Sequence, residues 1–388
     1  MVSPSKLLEP PMNRMPCTFL HSRPGQSCTQ AFLWNVYRNH VSSGKYYLPL
    51  LLFPLALKWR RLSDRKTIMP VVWNYLQATS FASFINAITF YLICMARRYY
   101  GRFTFIFTPS MSCWLASQLC WWMPPQVLLY FVSGVTHAVL ETLMRYFNVP
   151  LVHSRLGQTL VFMICSVIVI HYQQEKKYSG FWFIRPAPLS KDFQKFTMIQ
   201  RLRQSLKEIS NYMGVGLILD LVNPIRKRSL RSLRLKSTTF LVGYIGLFKL
   251  LQSLLLKRFN LKHTNALAAF ISGSAFASLN RLTFMCFAVV TASQVAWLQV
   301  CSKDSKEDPQ LASIQRIPWS KLLIPCSLAY LVHIFFYNSQ CLNELARDFI
   351  DSTCDKNGQR LFDLLNFQDE NMVVEAVVKR SPEASFWF

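Results

Sequence analysis

The chain has 388 residues, 52% hydrophobic and 14% aromatic, with only 16% charged, well below the roughly 25% of ordinary soluble domains. Its formal net charge is +24, from 43 Lys and Arg against 19 Asp and Glu. The basic residues flank long apolar runs, so the charge points to anionic lipid headgroups and argues against both a soluble enzyme and a nucleic-acid partner.

In chain order, residues 1–43 read as a Pro-rich segment outside the membrane. Pro4, Pro10, Pro11, Pro16 and Pro24 fall here with no apolar run among them. Neither a secretory signal nor the amphipathic helix of a matrix presequence is therefore expected. The carboxyl end, Ser385-Phe386-Trp387-Phe388, is not a peroxisomal Ser-Lys-Leu signal. Cys17, His21 and Cys28 cluster in this segment, with ten residues between the cysteines. Three such donors fall one short of the four in a structural zinc site, and His40 is remote. No metal and no cofactor is assigned; the trio stands as the candidate ligand set, with a free or redox-active cysteine pair as the alternative.

A first membrane bundle is expected over 44–174. Tyr46–Leu57 contains Pro49 and Pro54 and ends at Lys58-Trp59-Arg60-Arg61. It is shorter than the roughly 20 residues of a crossing, which predicts an interfacial, re-entrant or kinked segment. Ile68–Ala96 is the first full span, bounded by Arg65-Lys66 and Arg97-Arg98. The run Phe103–Leu140 is too long for one crossing, and Pro124-Pro125 divides it into two spans. Leu156–Tyr172 closes the bundle. A basic polar loop follows over 175–208, whose Phe181, Trp182 and Phe183 read as an interfacial belt.

A second bundle is expected over 209–342. It starts with a weaker apolar stretch, Ile209–Ile225, which holds Asp220 and ends at Arg226-Lys227-Arg228. Spans follow at Ser237–Leu256, Thr264–Asn280, Leu282–Val300 and Trp319–Leu342. A charged loop, Lys303–Asp308, separates the last two, and 343–388 reads as a polar C-terminal tail. Backbone groups in lipid must be bonded internally, so the fold class is all-α: a polytopic helical membrane protein with about eight to ten embedded segments.

The two halves share one order of parts at an offset of about 160–165 residues, as in internally repeated membrane proteins. Arg97-Arg98-Tyr99 matches Lys257-Arg258-Phe259, and His171-Tyr172 matches Phe336-Tyr337. The reading is two similar helical bundles from an internal duplication. Basic clusters at both ends of the spans leave orientation unassigned. The eleven cysteines are scattered, several inside apolar runs, and read as small buried hydrophobes, not as a disulfide framework.

Ala269, Gly273 and Ala277 form a small-residue stripe at four-residue spacing, and Ser112 and Ala116 repeat it in the first half. Such stripes let membrane helices approach closely, or line a path between the halves. The ionisable residues placed within apolar runs are His137, Glu141, Lys249 and Arg281. His137 and Glu141 share a helix face at i, i+4 and would be the pair used by a membrane enzyme. Against that, both suit an interfacial position near Arg145, Lys249 suits a snorkelling side chain, and Arg281 suits a turn. No nucleophile–base pair, nucleotide loop or metal-binding helix motif accompanies them, so no enzyme activity is expected.

Several blocks occur in a distinctive order: Cys17…Cys28 running into Ala31-Phe32-Leu33, then Lys45-Tyr46-Tyr47-Leu48-Pro49-Leu50, Gln77-Ala78-Thr79-Ser80-Phe81, and Phe107-Thr108-Pro109. Leu156-Gly157-Gln158 and Ala266–Gly273 follow. This order resembles the transmembrane protein 135 family, whose membrane core is similar to the mitochondrial Tim17/Tim22/Tim23 group. The chain departs from the family in having only His21 before the second cysteine and in lacking the cysteine-rich insert between Phe193 and Leu230. The resemblance implies a protein of mitochondrial and/or peroxisomal membranes. It would influence the balance of mitochondrial fission and fusion, peroxisome organisation or lipid handling through fission-machinery or organelle-biogenesis proteins. A homo-oligomer is compatible with this reading. The alternative is a transporter or channel for a lipid, metabolite or protein, with its path near Ser112-Ala116 and Ala269-Gly273-Ala277.

Overall fold

The computed structural model describes residues 17–21, 25–57, 65–104, 107–175, 182–184, 198–227, 234–256, 259–303, 314 and 317–366. Among these the regular structure is helical, without strands, and six helices are long and apolar enough to cross a membrane. They are Ile68–Tyr100, Val127–Tyr146, Arg155–Gln173, Lys236–Leu255, Leu282–Val300 and Trp319–Tyr337. The chain is a multi-pass α-helical membrane protein.

The described residues form two compact units. The first comprises residues 1–143 and 318–388, the second residues 144–317. The units are therefore not consecutive halves.

In the first unit a 3-10 turn at Cys17–Leu20 precedes α1, Cys28–Leu57. A capping box starts α1. Gln30 N–H donates to Ser27 Oγ at 3.2 Å, and Ser27 N–H donates to Gln30 Oε1 at 3.0 Å, satisfying two donors that a helix start leaves open. The short, proline-interrupted segment expected at Tyr46–Leu57 is instead the C-terminal part of this 30-residue helix. It lies along α2, Arg65–Tyr100. Polar bonds tie the two together: Ser83 Oγ donates to the Val36 carbonyl (2.9 Å) and the Tyr75 hydroxyl to the Gly44 carbonyl (3.0 Å). Gly101 ends α2 in the left-handed region at φ 66°, a conformation that glycine adopts without a Cβ penalty.

The expected span between Phe103 and Pro124 is not a continuous crossing. It is a nine-residue helix, α3 (Thr108–Ala116), followed by a 3-10 turn at Ser117–Trp122. At 1.5 Å per residue α3 spans only about 14 Å of a hydrocarbon layer near 30 Å. Next comes α4, Pro125–Tyr146, starting at the second residue of the Pro124-Pro125 pair, since proline is tolerated in a first helical turn.

In the second unit a 3-10 turn at Pro150–Val152 leads into α5, Arg155–Glu175. Next are α6 (Met198–Lys227), α7 (Lys236–Leu255), α8 (Leu261–Gly273), the short α9 (Phe276–Leu279) and α10 (Leu282–Lys303). The expected span Thr264–Asn280 is broken at Ser274-Ala275, and Asn280 turns the chain with φ 40°. The first unit is completed by α11 (Trp319–Tyr337), α12 (Glu344–Thr353) and α13 (Asn357–Asn366).

The last span of each sequential half belongs to the unit built mainly from the other half. α11 packs on α3 and the following 3-10 turn, whereas α5 packs on α8 and α10. Each unit thus holds a 30-residue helix laid on an apolar span (α1 on α2, α6 on α7), one short interrupted segment and two further spans (α4 and α11 in the first, α5 and α10 in the second).

Two further expectations are corrected. Of the polar tail expected over 343–388, residues 367–388 lie outside the described residues, and residues 343–366 are folded into the first unit. α12 and α13 place Ala346, Leu361 and Leu364 in the same core as Ile324, Phe335 and Phe336, because the apolar residues of both helices fall on one face. Of the aromatic belt expected within 175–208, Phe181 lies outside the described residues, and Trp182 and Phe183 are buried rather than interfacial. Trp182 stacks on Phe162 (5.9 Å between centroids, 21°) and donates its indole N–H to the Tyr244 hydroxyl at 3.2 Å. Phe162 in turn stacks on Phe276 at 4.6 Å. Burying the indole here also satisfies its one donor.

Candidate functional site

The side chains of Cys17, His21 and Cys28 converge beside α2. The two sulfurs are 3.6 Å apart, and with a ring nitrogen of His21 all three donor atoms lie within 4.8 Å of one another. His21 is only 4% exposed. Its Nδ1 is 2.8 Å from the Gln26 carbonyl; a carbonyl only accepts, so Nδ1 carries the proton. Nε2 is then the lone-pair nitrogen, and it is buried without a hydrogen-bond partner. Burial lowers the His21 pKa below its ordinary value, and the Arg360 charge adds to that, outweighing the Gln26 bond. Burial raises the Cys28 thiol, and its contact with Cys17 does the same.

A fourth donor stands beside this trio. Cys94, near the C-terminal end of α2, lies close enough to Cys28 and Cys17 to interact electrostatically with both. His21, Cys28 and Cys94 line one small cavity with Asn35, Phe90 and Leu361. Arg97 and Arg98 lie close enough to interact electrostatically with the cysteines. His40 is exposed. Cys94 reads in the sequence as one more small hydrophobe in a span, and nothing local distinguishes it; only the packing of α1 on α2 brings it here.

Of the intramembrane ionisable residues, His137 and Glu141 share α4 in the first unit, and Lys249 and Arg281 lie in the second unit. On α4, His137 Nδ1 donates to the Ser133 carbonyl at 2.9 Å within its own helix. Glu141 is 1% exposed and accepts from the Asn343 side-chain amide. Asn343 caps α12, with its Oδ1 accepting from Ala346 N–H at 2.9 Å, and its own N–H donates to Thr142 Oγ1 at 3.2 Å. The Glu141 carboxylate therefore ties the C-terminal helix pair to α4. Lys249 is half-buried on α7. Arg281 is exposed between α9 and α10, where its carbonyl accepts from Phe284 N–H at 3.0 Å.

The small-residue stripe is partly realised. Ser112 and Ala116 are buried on α3. Ala269 and Gly273 are buried on α8, but Ala277 is exposed on α9 because the helix breaks after Gly273. Gly273 marks a close helix crossing: a Cβ placed there would lie 2.8 Å from the Met163 Cα of α5. Gly216 does the same between α6 and α7, with Thr238 Cα at 2.6 Å from its would-be Cβ.

Asp220 has a structural function that the apolar pattern does not reveal. Its carboxylate accepts from Ser237 N–H (3.0 Å), Thr238 N–H (2.8 Å) and Thr238 Oγ1 (2.8 Å). It caps α7 from a neighbouring helix, where a negative charge also suits the helix dipole. The Ser-Thr-Thr run at 237–239 signals a helix start but not the residue that serves it. Comparison with protein-family models, curated proteins and solved structures finds no match to this chain.

Proposed function

We propose that this protein works inside a mitochondrial or peroxisomal membrane as a non-enzymatic multi-pass protein, influencing organelle dynamics, peroxisome organisation or lipid handling through partners. The carrying observation is the set of six apolar crossing-length helices, and the family-like blocks fall on helices or at their starts in the order of the resemblance. The blocks from Cys17 to Phe81 lie on the turn before α1, on α1 and on α2. Phe107-Thr108-Pro109 opens α3, Leu156-Gly157-Gln158 opens α5, and Ala266–Gly273 lies on α8. We also read the matching inventories of the two units as the trace of an internal duplication. The test is imaging of the tagged full-length chain against mitochondrial and peroxisomal markers, with carbonate extraction of the membranes. Retention in either organelle's membrane fraction is the expected result. Location in the secretory pathway overturns the organellar reading.

A second reading is favoured by a separate observation: both units carry a short interrupted segment at the corresponding place, Thr108–Trp122 in one and Leu261–Leu279 in the other. Short or broken apolar segments in matching positions are where repeated transporters bind their cargo. On this reading the protein moves a lipid or metabolite past these segments. The Ser112→Phe variant then abolishes flux in reconstituted vesicles while still inserting in the membrane, and unaltered flux removes the reading.

A further inference from the structure

We propose that Cys17, His21, Cys28 and Cys94 form a structural zinc site that fastens the N-terminal turn to the end of the first membrane span. Thiolate and imidazole are the donors that tetrahedral structural zinc takes. Two thiolates on one tetrahedral zinc, each about 2.3 Å from the metal, stand about 3.8 Å apart. The Cys17 and Cys28 sulfurs, 3.6 Å apart, already hold that separation, whereas a disulfide closes to about 2.05 Å.

His21 is oriented as a ligand. Its Nδ1–H is anchored on a backbone carbonyl, the arrangement that fixes tautomer and ring direction in metal-binding histidines. The nitrogen left over is buried without a partner. Such an orphaned acceptor costs free energy unless something answers it, and a cation does so here.

The surroundings suit the charge of the complex. A dication with three thiolates carries one net negative charge. Arg97 is 6% exposed and interacts with Cys17 and Cys94, and Arg98 interacts with Cys28. Neighbouring guanidinium groups favour thiolates over thiols. These arginines occupy the last turn of α2, so the site sits at an end of the span Ile68–Tyr100 rather than at its middle.

Four protein donors leave no open position for a substrate, which makes the role structural. The site joins the Cys17–Leu20 turn, the first turn of α1 and the end of α2. It reaches the C-terminal pair as well. Arg360 of α13 donates to the His21 carbonyl at 2.6 Å, and Leu361 forms part of the cavity wall. Binding releases the thiol protons and adds its free energy to folding of this end of the unit.

The test is elemental analysis of full-length protein purified in detergent under reducing conditions without chelator, followed by replacement of the metal with cobalt. The expected result is roughly one zinc per chain, lost to background in the C17S/C28S double variant and kept in C326S, which removes an exposed thiol elsewhere. The cobalt form should show thiolate-to-metal charge transfer and strong tetrahedral ligand-field bands, with the charge-transfer band weakened in C94S. The zinc content and the cobalt–thiolate band of the wild-type chain are read independently of any variant, so misfolding of a variant does not by itself decide the test. The proposal is overturned by wild-type protein without zinc or a cobalt–thiolate band, by a Cys17–Cys28 disulfide in the purified chain, by zinc retained in C17S/C28S, or by an unchanged cobalt spectrum in C94S.

Discussion

At the residue scale, buried polar side chains are spent on closing helix ends and fastening segments. Asn343 caps α12 and also reaches Glu141 and Thr142 of α4. Replacing an N-cap asparagine with alanine costs about 1 kcal/mol, and here it also strips a partner from a buried carboxylate. Asn343→Ala should therefore lower the melting temperature in detergent, and limited proteolysis should show earlier cleavage within 344–366. Asp351 gives a pH test outside the spans. Burial raises its carboxyl above the ordinary value, with smaller opposing effects from a Gln359 hydrogen bond and from Arg347. A carboxyl with a raised folded pKa holds its proton more tightly in the folded state. Its stabilising contribution is present below the unfolded value of 3.8 and is lost as pH rises through the folded pKa. Asp351→Asn should consequently raise thermal stability at pH 7 and give little gain near pH 3.5; an equal gain at both pH values sinks this account.

At the element scale, close helix approach decides which glycines cannot change. Apolar burial supplies little drive between helices already in lipid, so contact quality carries the packing. Gly273→Ala must displace the Met163 backbone from 2.8 Å, and Gly273→Leu must open the α5–α8 contact further. Overpacking of this kind costs about 1–3 kcal/mol or more. Gly134, with nothing within 4 Å of its would-be Cβ, is the control that should tolerate alanine. Equal melting temperatures for Gly273→Leu and wild type contradict the crossing. The aromatic cluster of the second unit offers a parallel measurement. The Tyr244 hydroxyl bonds with Ser166 and accepts from Trp182, so Tyr244→Phe should cost about 0.5–1.5 kcal/mol per lost bond. Trp182 fluorescence should shift with it.

At the scale of the whole molecule, the C-terminal helices belong to the first unit and help close it. Asn86 donates to Thr353 Oγ1 at 2.8 Å, Ser43 to the Thr353 carbonyl at 3.2 Å, and Arg38 pairs with Asp355. Phe349, Ile350 and Cys354 cover an apolar cavity whose other walls include Ile85, Phe131 and Phe336. Truncation after Ser339 should uncover that cavity. The expected outcome is a chain that still resists carbonate extraction, because its spans remain, but that aggregates in detergent and melts at lower temperature. Wild-type behaviour of the truncated chain would show that the C-terminal pair is dispensable for the unit.

Fold class and most spans were legible because a membrane span is a one-dimensional property. About 20 apolar residues between charges suffice, and Ile68–Tyr100, Lys236–Leu255 and Leu282–Val300 announce themselves in any order of packing. What length and apolarity cannot show is where a helix breaks inside an apolar run, as after Ala116 and Gly273, since those breaks depend on which neighbour supplies the next contact. Nor can they show partnership over distance. Cys94 beside Cys28, Asp220 on the start of α7, Asn343 on Glu141 and the placing of α11 with α3 each join residues with no local signal. Only tertiary packing decided those, because a hydrogen bond, a donor cluster or a helix crossing is set by position in space, and the chain reaches that position through all of its contacts together.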